Sequence, residues 1–342
     1  LVSTEDATEI GNLLSKTSGA TADAASMAAA QLTALSGTIA NVASITNLSL
    51  TSAQSAGEST NLLGKTSTGV TLATSMSSAQ LTALGAAATG IAADGVTGTL
   101  AIDVNVTNLG ALLGKTAVLA TVNVNAAGFN DAGKGTLSSN ITKVDAITNL
   151  ALASSEDATE IGNLLSKVAL ASATVNALSM TDAQLTALDS SIAKVLSISS
   201  LSLTNAQSAG EITSLLGKAT GALVDATSMN SAKLKALALG ALNIAPSGIT
   251  GVMALSSSET AAELSALLGK YSGSTATANI SGMDAGQYAA VSATPSAFSS
   301  VTGGFNYYPD VDNDTYGSAA ASPVYAPTAA LSGLANAREN NT

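Results

Sequence analysis

Cysteine, histidine and tryptophan are all absent from the 342 residues. Without histidine the chain lacks the side chain that changes charge near neutral pH, and without cysteine it lacks thiol chemistry. Ser-His-Asp and Cys-His nucleophile sites, and the common His/Cys ligand sets for transition metals, are thereby excluded. Zero cysteine also excludes a disulfide framework, while the Ser/Thr-rich, lysine-poor composition points towards export. Charge is scarce: 12 Lys and Arg against 23 Asp and Glu give a net charge of −11, which makes nucleic acid an unsuitable partner. Aromatic residues are only 3% of the chain, so any interior has to be built from Ala, Leu, Ile, Val and small hydroxyl residues. The longest apolar stretch, around Leu234 to Ala245, is interrupted by Lys235 and Asn243, so no transmembrane helix is expected.

What the chain has in abundance is repetition. Glu5 to Lys16, EDATEIGNLLSK, recurs letter for letter as Glu156 to Lys167. A double leucine, a small residue and a lysine end six copies at Lys16, Lys65, Lys115, Lys167, Lys218 and Lys270, which lie 49, 50, 52, 51 and 52 residues apart. Neighbouring copies are not the most alike. Thr51 to Lys65 matches Thr204 to Lys218, and Val96-Thr97-Gly98 matches Ile249-Thr250-Gly251, so the order is ABC-ABC with a superperiod of about 153 residues.

Each copy divides into two strand-plus-helix halves. Ala173 to Met180 alternates as a strand, and Leu185, Leu188, Ile192 and Val195 follow at the spacing of one helix face. Thr181 with Gln184, and Ser77 with Gln80, have the capping-box spacing that satisfies helix-start donors. In the second half Ile198 to Leu203 alternates as a strand, Thr204 with Gln207 has the same cap spacing, and Ala209, Ile212, Leu215 and Leu216 line a shorter helix closed by Gly217 and Lys218. Met27, Met76, Met180, Met229 and Met283 share one strand-to-helix corner, Phe129 takes that place in the third copy, and core packing is the expected role. The expected fold is therefore α/β: a repeat solenoid of parallel strands and short helices, six repeats of about 51 residues with two βα turns each, over residues 1–302. About twelve turns at roughly 4.8 Å per strand predict a rod of roughly 55 to 60 Å. This logic resembles the leucine-rich repeat horseshoe; Ile147 to Leu152 has the L-x-x-L-x-L spacing, although the asparagine that should follow is missing.

Composition changes after residue 302. Five of the nine aromatics and three of the five prolines lie in 303–342, read as an aromatic and acidic loop followed by an extended tail that leads towards a further module. Tyr308 to Gly317 contains Asp310, Asp312 and Asp314 at alternate positions, a spacing that turns several oxygens onto one hard cation. The stretch resembles the D-x-D-x-D-G-Y-G calcium loops of secreted bacterial surface proteins, in the style of thrombospondin type 3 and dockerin loops. That resemblance implies Ca2+ held by Asp310, Asp312 and Asp314. Thr315 stands in the usual glycine position, no glutamate supplies the bidentate ligand, and a plain acidic turn in a linker fits the same residues.

Leu1-Val2-Ser3 aligns with Leu152-Ala153-Ser154, so the first residues are expected to lie within a strand of a repeat, with an edge open to further pairing. The acids Glu5-Asp6 and Glu156-Asp157 fall at helix starts, where capping accounts for them. The expectation is a non-enzymatic extracellular or cell-surface structural protein, bacterial or from a phage fibre. It would self-associate into a filament, sheath, layer or fibre. The alternative is an adhesin or receptor stalk that binds glycan or protein, with or without calcium.

Overall fold

The computed structural model describes residues 1–103, 107–309, 324–333 and 337–339. It is an α/β protein with twelve α-helices among the described residues, mostly parallel sheets and no closed barrel. The chain divides into two compact units, Leu1–Thr174 and Val175–Thr342.

The first unit runs α1 (Ala7–Leu14), β1 (Ala20–Asp23), α2 (Ala29–Gly37), β2 (Val42–Thr46), β3 (Ser49–Leu50), α3 (Ala56–Leu63), β4 (Gly69–Leu72), α4 (Ser78–Ala86) and β5 (Ile91–Thr97). It continues through β6 (Thr99–Ile102), α5 (Leu109–Gly114), β7 (Thr121–Asn125), α6 (Asp131–Ser139), β8 (Ala146–Thr148), β9 (Ala151–Leu152) and α7 (Ala158–Ser166). Its strands pair in parallel as β1-β2, β3-β4-β5 and β6-β7-β8.

The division falls within β10 (Ala173–Asn176), and the second unit continues with α8 (Asp182–Ser190), β11 (Val195–Ser199), β12 (Ser202–Leu203), α9 (Ala209–Leu216), β13 (Ala222–Asp225) and α10 (Ser231–Leu239). Then come β14 (Ile244–Thr250), β15 (Ala254–Leu255), α11 (Ala261–Leu268), β16 (Ala276–Asn279), α12 (Ala285–Ser292) and β17 (Phe298–Thr302). Here β12-β13-β14 and β15-β16-β17 are parallel, whereas β18 (Phe305–Pro309) is antiparallel to both β19 (Val324–Ala326) and β20 (Ala337–Glu339). Parallel pairing thus gives way to antiparallel pairing between β17 and β18.

The helices are short and start under strong local control. Eight of the twelve begin in a reciprocal capping box, such as Asp6 with Glu9, Ser77 with Gln80 and Thr181 with Gln184. Each such cap is worth about 1 kcal/mol, which matters for helices of eight or nine residues that could not persist alone. The Thr204–Gln207 spacing proves to be something else. Gln207 Oε1 accepts the Thr204 N–H at 2.8 Å to close a loop, and α9 starts four residues later from Ser208 with Glu211.

The apolar spacing at Leu185, Leu188, Ile192 and Val195 also spans more than a helix. Leu185 and Leu188 lie in α8, Ile192 opens a 3-10 turn and buried Val195 begins β11. The tighter turn ends the α-helix and redirects the chain without losing the inward face. Gly217 caps the end of α9 as expected, in a right-handed conformation at φ −58°.

Strands expected to be continuous are bent. Asn47, Gly98, Asn149, Ser200, Gly251 and Gly303 all have positive φ and lie 51 or 52 residues apart; Ser200 separates β11 from β12 within the Ile198 to Leu203 stretch. At Gly98 and Gly251 the bend also requires the missing Cβ, which at Gly251 would collide with Asp225 Oδ1 and Thr227 Oγ1.

The core is aliphatic, as composition demands. Val122 and Val124 of β7 are buried while Thr121 and Asn123, alternating with them, are exposed, as in a half-covered strand. Burying each leucine of this core contributes roughly 1.5–3 kcal/mol, so the thin layers depend on the repeated Leu-Leu pairs.

Candidate interaction surfaces

The repeated lysine belongs to the backbone scaffold. The carbonyls of Lys65, Lys115, Lys167, Lys218 and Lys270 accept the N–H of Ile45, Val96, Ile147, Ile198 and Ile249 at 2.8–3.0 Å. Each bond links a buried strand residue to the turn about twenty residues later. Lys115 and Lys270 also use their ammonium groups, which donate to the Ile91 and Ile244 carbonyls at 2.8 Å, so these two are more than solvated helix-end cations. The methionine corners are equally structural. Met27, Met76, Met180, Met229 and Met283 donate their N–H to the residue three before at 3.1–3.2 Å, and Phe129 makes the same turn to Ala126 at 3.1 Å.

A second ladder joins loops to helices. Gln31 Nε2 donates to the Ser3 and Glu5 carbonyls, Gln80 Nε2 to Ser52 and Gln54, and Gln287 Nε2 to Ser257 and Glu259, at 2.5–3.1 Å. Two interhelical contacts repeat at the superperiod: the Thr33 hydroxyl bonds Glu58, and the Thr186 hydroxyl donates to Glu211 Oε1 at 2.6 Å. These bonds, with those from the Ser55 and Ser208 N–H groups, hold both glutamates below the ordinary carboxylate range.

The main charged cluster of the first unit was not expected from the repeat pattern. Lys134 lies in α6 where the other copies have Leu32, Leu81, Leu185, Leu234 or Tyr288. Its ammonium sits 2.6 Å from Glu156 Oε1, 3.2 Å from Asp131 Oδ1 and 3.1 Å from the Ala151 carbonyl. The side chains of Lys134 and Glu156 are 7% and 1% exposed. The hydrogen bond from Lys134, followed by that of Ser155, holds exposed Asp131 below the usual carboxylate range. A lysine in a leucine register was the signal in the sequence. The cluster's chemistry is that of a bound ion pair, in which Glu156 also accepts the Ala153 N–H and the Ser155 hydroxyl.

The outer sheet faces carry hydroxyl groups interspersed with uncovered aliphatics, including Val70 and Leu72 in the first unit and Leu196 and Leu223 in the second. In the second unit Leu178 and Leu223 border a groove of about 780 Å³ whose other walls include Ser179, Ser200, Ser202 and Thr204. At the first strand edge, the amino terminus of Leu1 donates to the Thr21 carbonyl at 3.0 Å, and its own carbonyl accepts the Asp23 N–H at 2.9 Å. Leu1 therefore lies alongside β1 in strand pairing.

The Asp310, Asp312 and Asp314 calcium loop lies outside the described residues. Among the described residues there is no group of three or more Asp or Glu arranged to hold a metal ion. Nor, among them, is any helix long and apolar enough to cross a membrane. No protein-family model matches this chain, and no curated protein is significantly similar to it.

Proposed function

We propose that the chain is a repeat solenoid of six units of about 51 residues in the order ABC-ABC, spanning residues 1–302, with 303–342 as a separate terminal segment. We assign it a non-enzymatic structural role outside the cell, as a subunit or segment of a surface filament, sheath, layer or fibre. One observation supports this reading above the others: the same bond, from a buried aliphatic N–H to the carbonyl of the repeated lysine, recurs five times at intervals of about 51 residues. A chain that reuses one bond in five of its six copies specifies length and regular spacing, which is what a structural array needs. The uncovered aliphatics on sheet faces otherwise lined by Ser and Thr supply surface for association with further copies.

Electron microscopy and sedimentation of the full chain test the proposal. Ordered assemblies that lengthen with concentration are expected; a monomer at every concentration, with and without calcium, would overturn the structural role. Calorimetric titration with CaCl2 tests the loop: heat of binding that disappears in the Asp310→Asn, Asp312→Asn, Asp314→Asn variant is expected, and no heat refutes that assignment.

A further inference from the structure

The repeated leucine register of the helices is broken a second time, at Tyr288 of α12, and here the residue lines a cavity. Tyr288 replaces the Leu32, Leu81, Leu185 and Leu234 of other copies, and its hydroxyl donates to the Tyr325 carbonyl at 2.8 Å. The Tyr325 hydroxyl in turn accepts the Gly304 N–H at 3.0 Å, and Tyr307 with Ala326 forms a small buried cluster against Tyr288. Between α12 and β17 lies a cavity of about 330 Å³, walled by Tyr288, Phe298, Tyr325, Pro295, Val291 and Ile280 and edged by Ser292, Ser299 and Ser300.

Three features define what this cavity can take. Its aromatic wall is unusual in a chain with so few aromatics: three of the nine Phe and Tyr residues line one space. Two of those rings are tied at their hydroxyl or carbonyl ends before any ligand arrives, which limits the ordering cost of binding. The lining holds no charged side chain, so an anion or cation would lose its hydration without compensation, whereas a neutral polyol can meet serine hydroxyls at the rim and ring faces at the wall. A volume near the lower limit for ligand pockets suits one ring and not an extended chain.

We propose that this cavity is a binding site for a single neutral pyranose of glucose-like or galactose-like configuration, whose ring offers a face of axial C–H groups, such as the terminal residue of a surface glycan. The axial C–H face of the sugar lies against Phe298 and Tyr325, and its hydroxyls meet Ser292 and Ser300. This gives the last turn of the array, where Tyr325 of the terminal segment meets it, a recognition role independent of assembly.

Saturation-transfer NMR and tyrosine emission on the full chain test the site, and the absence of tryptophan leaves tyrosine as the reporter. The probes are the methyl β-glycosides of glucose, galactose and N-acetylglucosamine, with the glucuronic acid glycoside as the charged comparison. At least one neutral glycoside is expected to show saturation on its axial protons and a Kd on the order of millimolar, as a ligand of about a dozen heavy atoms allows, with the charged sugar at least tenfold weaker. Phe298→Ala, which removes the wall, and Ser300→Tyr, which fills the cavity from an exposed position, are each expected to weaken binding at least tenfold. No transfer from any neutral glycoside at about 20 mM, well above such a Kd, overturns the proposal. So does binding that survives Ser300→Tyr, whether or not Phe298→Ala folds.

Discussion

The two identical EDATEIGNLLSK segments provide an internal experiment, because the same substitution can be made in the same sequence at two places. Glu5 and Glu156 each accept a loop N–H, from Val2 and Ala153 respectively, at 2.7 Å. Glu5 is only half-buried, whereas the Glu156 side chain is 1% exposed and 2.6 Å from buried Lys134. Glu156→Ala removes the close counter-charge and leaves the lysine with a solvated partner, Asp131, and one carbonyl. Breaking a buried pair from one side costs about 3–5 kcal/mol, and Asp131 offsets little of it because solvent screens its exposed carboxylate. With a urea dependence of roughly 3 kcal/mol per molar, the midpoint should fall by roughly 1 to 1.7 M. Glu5→Ala loses only a solvated loop contact, and its midpoint should stay close to wild type. The double variant Lys134→Met, Glu156→Leu should recover most of the loss, because replacing both ions by apolar groups removes the desolvation problem. Urea unfolding followed by circular dichroism measures all three. Equal losses at Glu5 and Glu156, or a double variant no better than Glu156→Ala, would refute this account of the cluster.

Other consequences can be checked independently. Gly251→Ala should destabilise by about 1–3 kcal/mol, since a Cβ there meets Asp225 and Thr227 at a φ of +81°, and a fall in melting temperature measures it. Gln80→Leu should cost about 1–3 kcal/mol in urea unfolding, because the Ser52 and Gln54 carbonyls and the Ser77 N–H lose their partner together. For pH, Glu58 and Glu211 have folded values below the ordinary 4.5, chiefly through the Thr33 and Thr186 hydroxyls. Between the folded and ordinary values the unfolded chain binds more protons, so this stabilisation is complete above the ordinary value and is lost as pH falls through the folded one. Melting temperature followed from about pH 7 to about pH 3 should fall on the acid side, and Thr186→Val should flatten that fall; an unchanged acid slope would contradict the assignment.

Much of the secondary structure could be read from the residues. Thr181 with Gln184 and Ser77 with Gln80 make the expected capping boxes because those contacts span one helical turn and need nothing else. Phe129 occupies the methionine corner because the register of its copy places it there. The helix ends were less legible. An inward residue every three or four positions is equally consistent with an α-helix, a 3-10 turn or the first residue of a strand, so Ile192 and Val195 looked like a continuation of α8. The bends at Asn47, Asn149 and Ser200 were hidden too, since asparagine only tolerates positive φ and serine gives no signal of it. Of the surfaces argued to bind, the aspartates at 310, 312 and 314 were visible as a pattern, whereas the Tyr288–Tyr325 contact joins residues 37 apart and belongs to no local motif.

The sequence by itself determined the period, the ABC-ABC order, the aliphatic composition of the core and the exclusion of histidine and cysteine chemistry, because these depend only on which residues occur and how far apart. Tertiary structure alone decided what identical residues become. Leu13 and Leu164 occupy the same place in the same twelve letters, yet one is 48% exposed and the other fully buried. Glu5 and Glu156 likewise part, one half-buried and one sealed beneath a lysine. A local sequence fixes its own caps and faces, but burial and charge pairing are set by the neighbouring turn, and only the folded chain supplies that neighbour: α6 packs against α7, and its Lys134 pairs with Glu156.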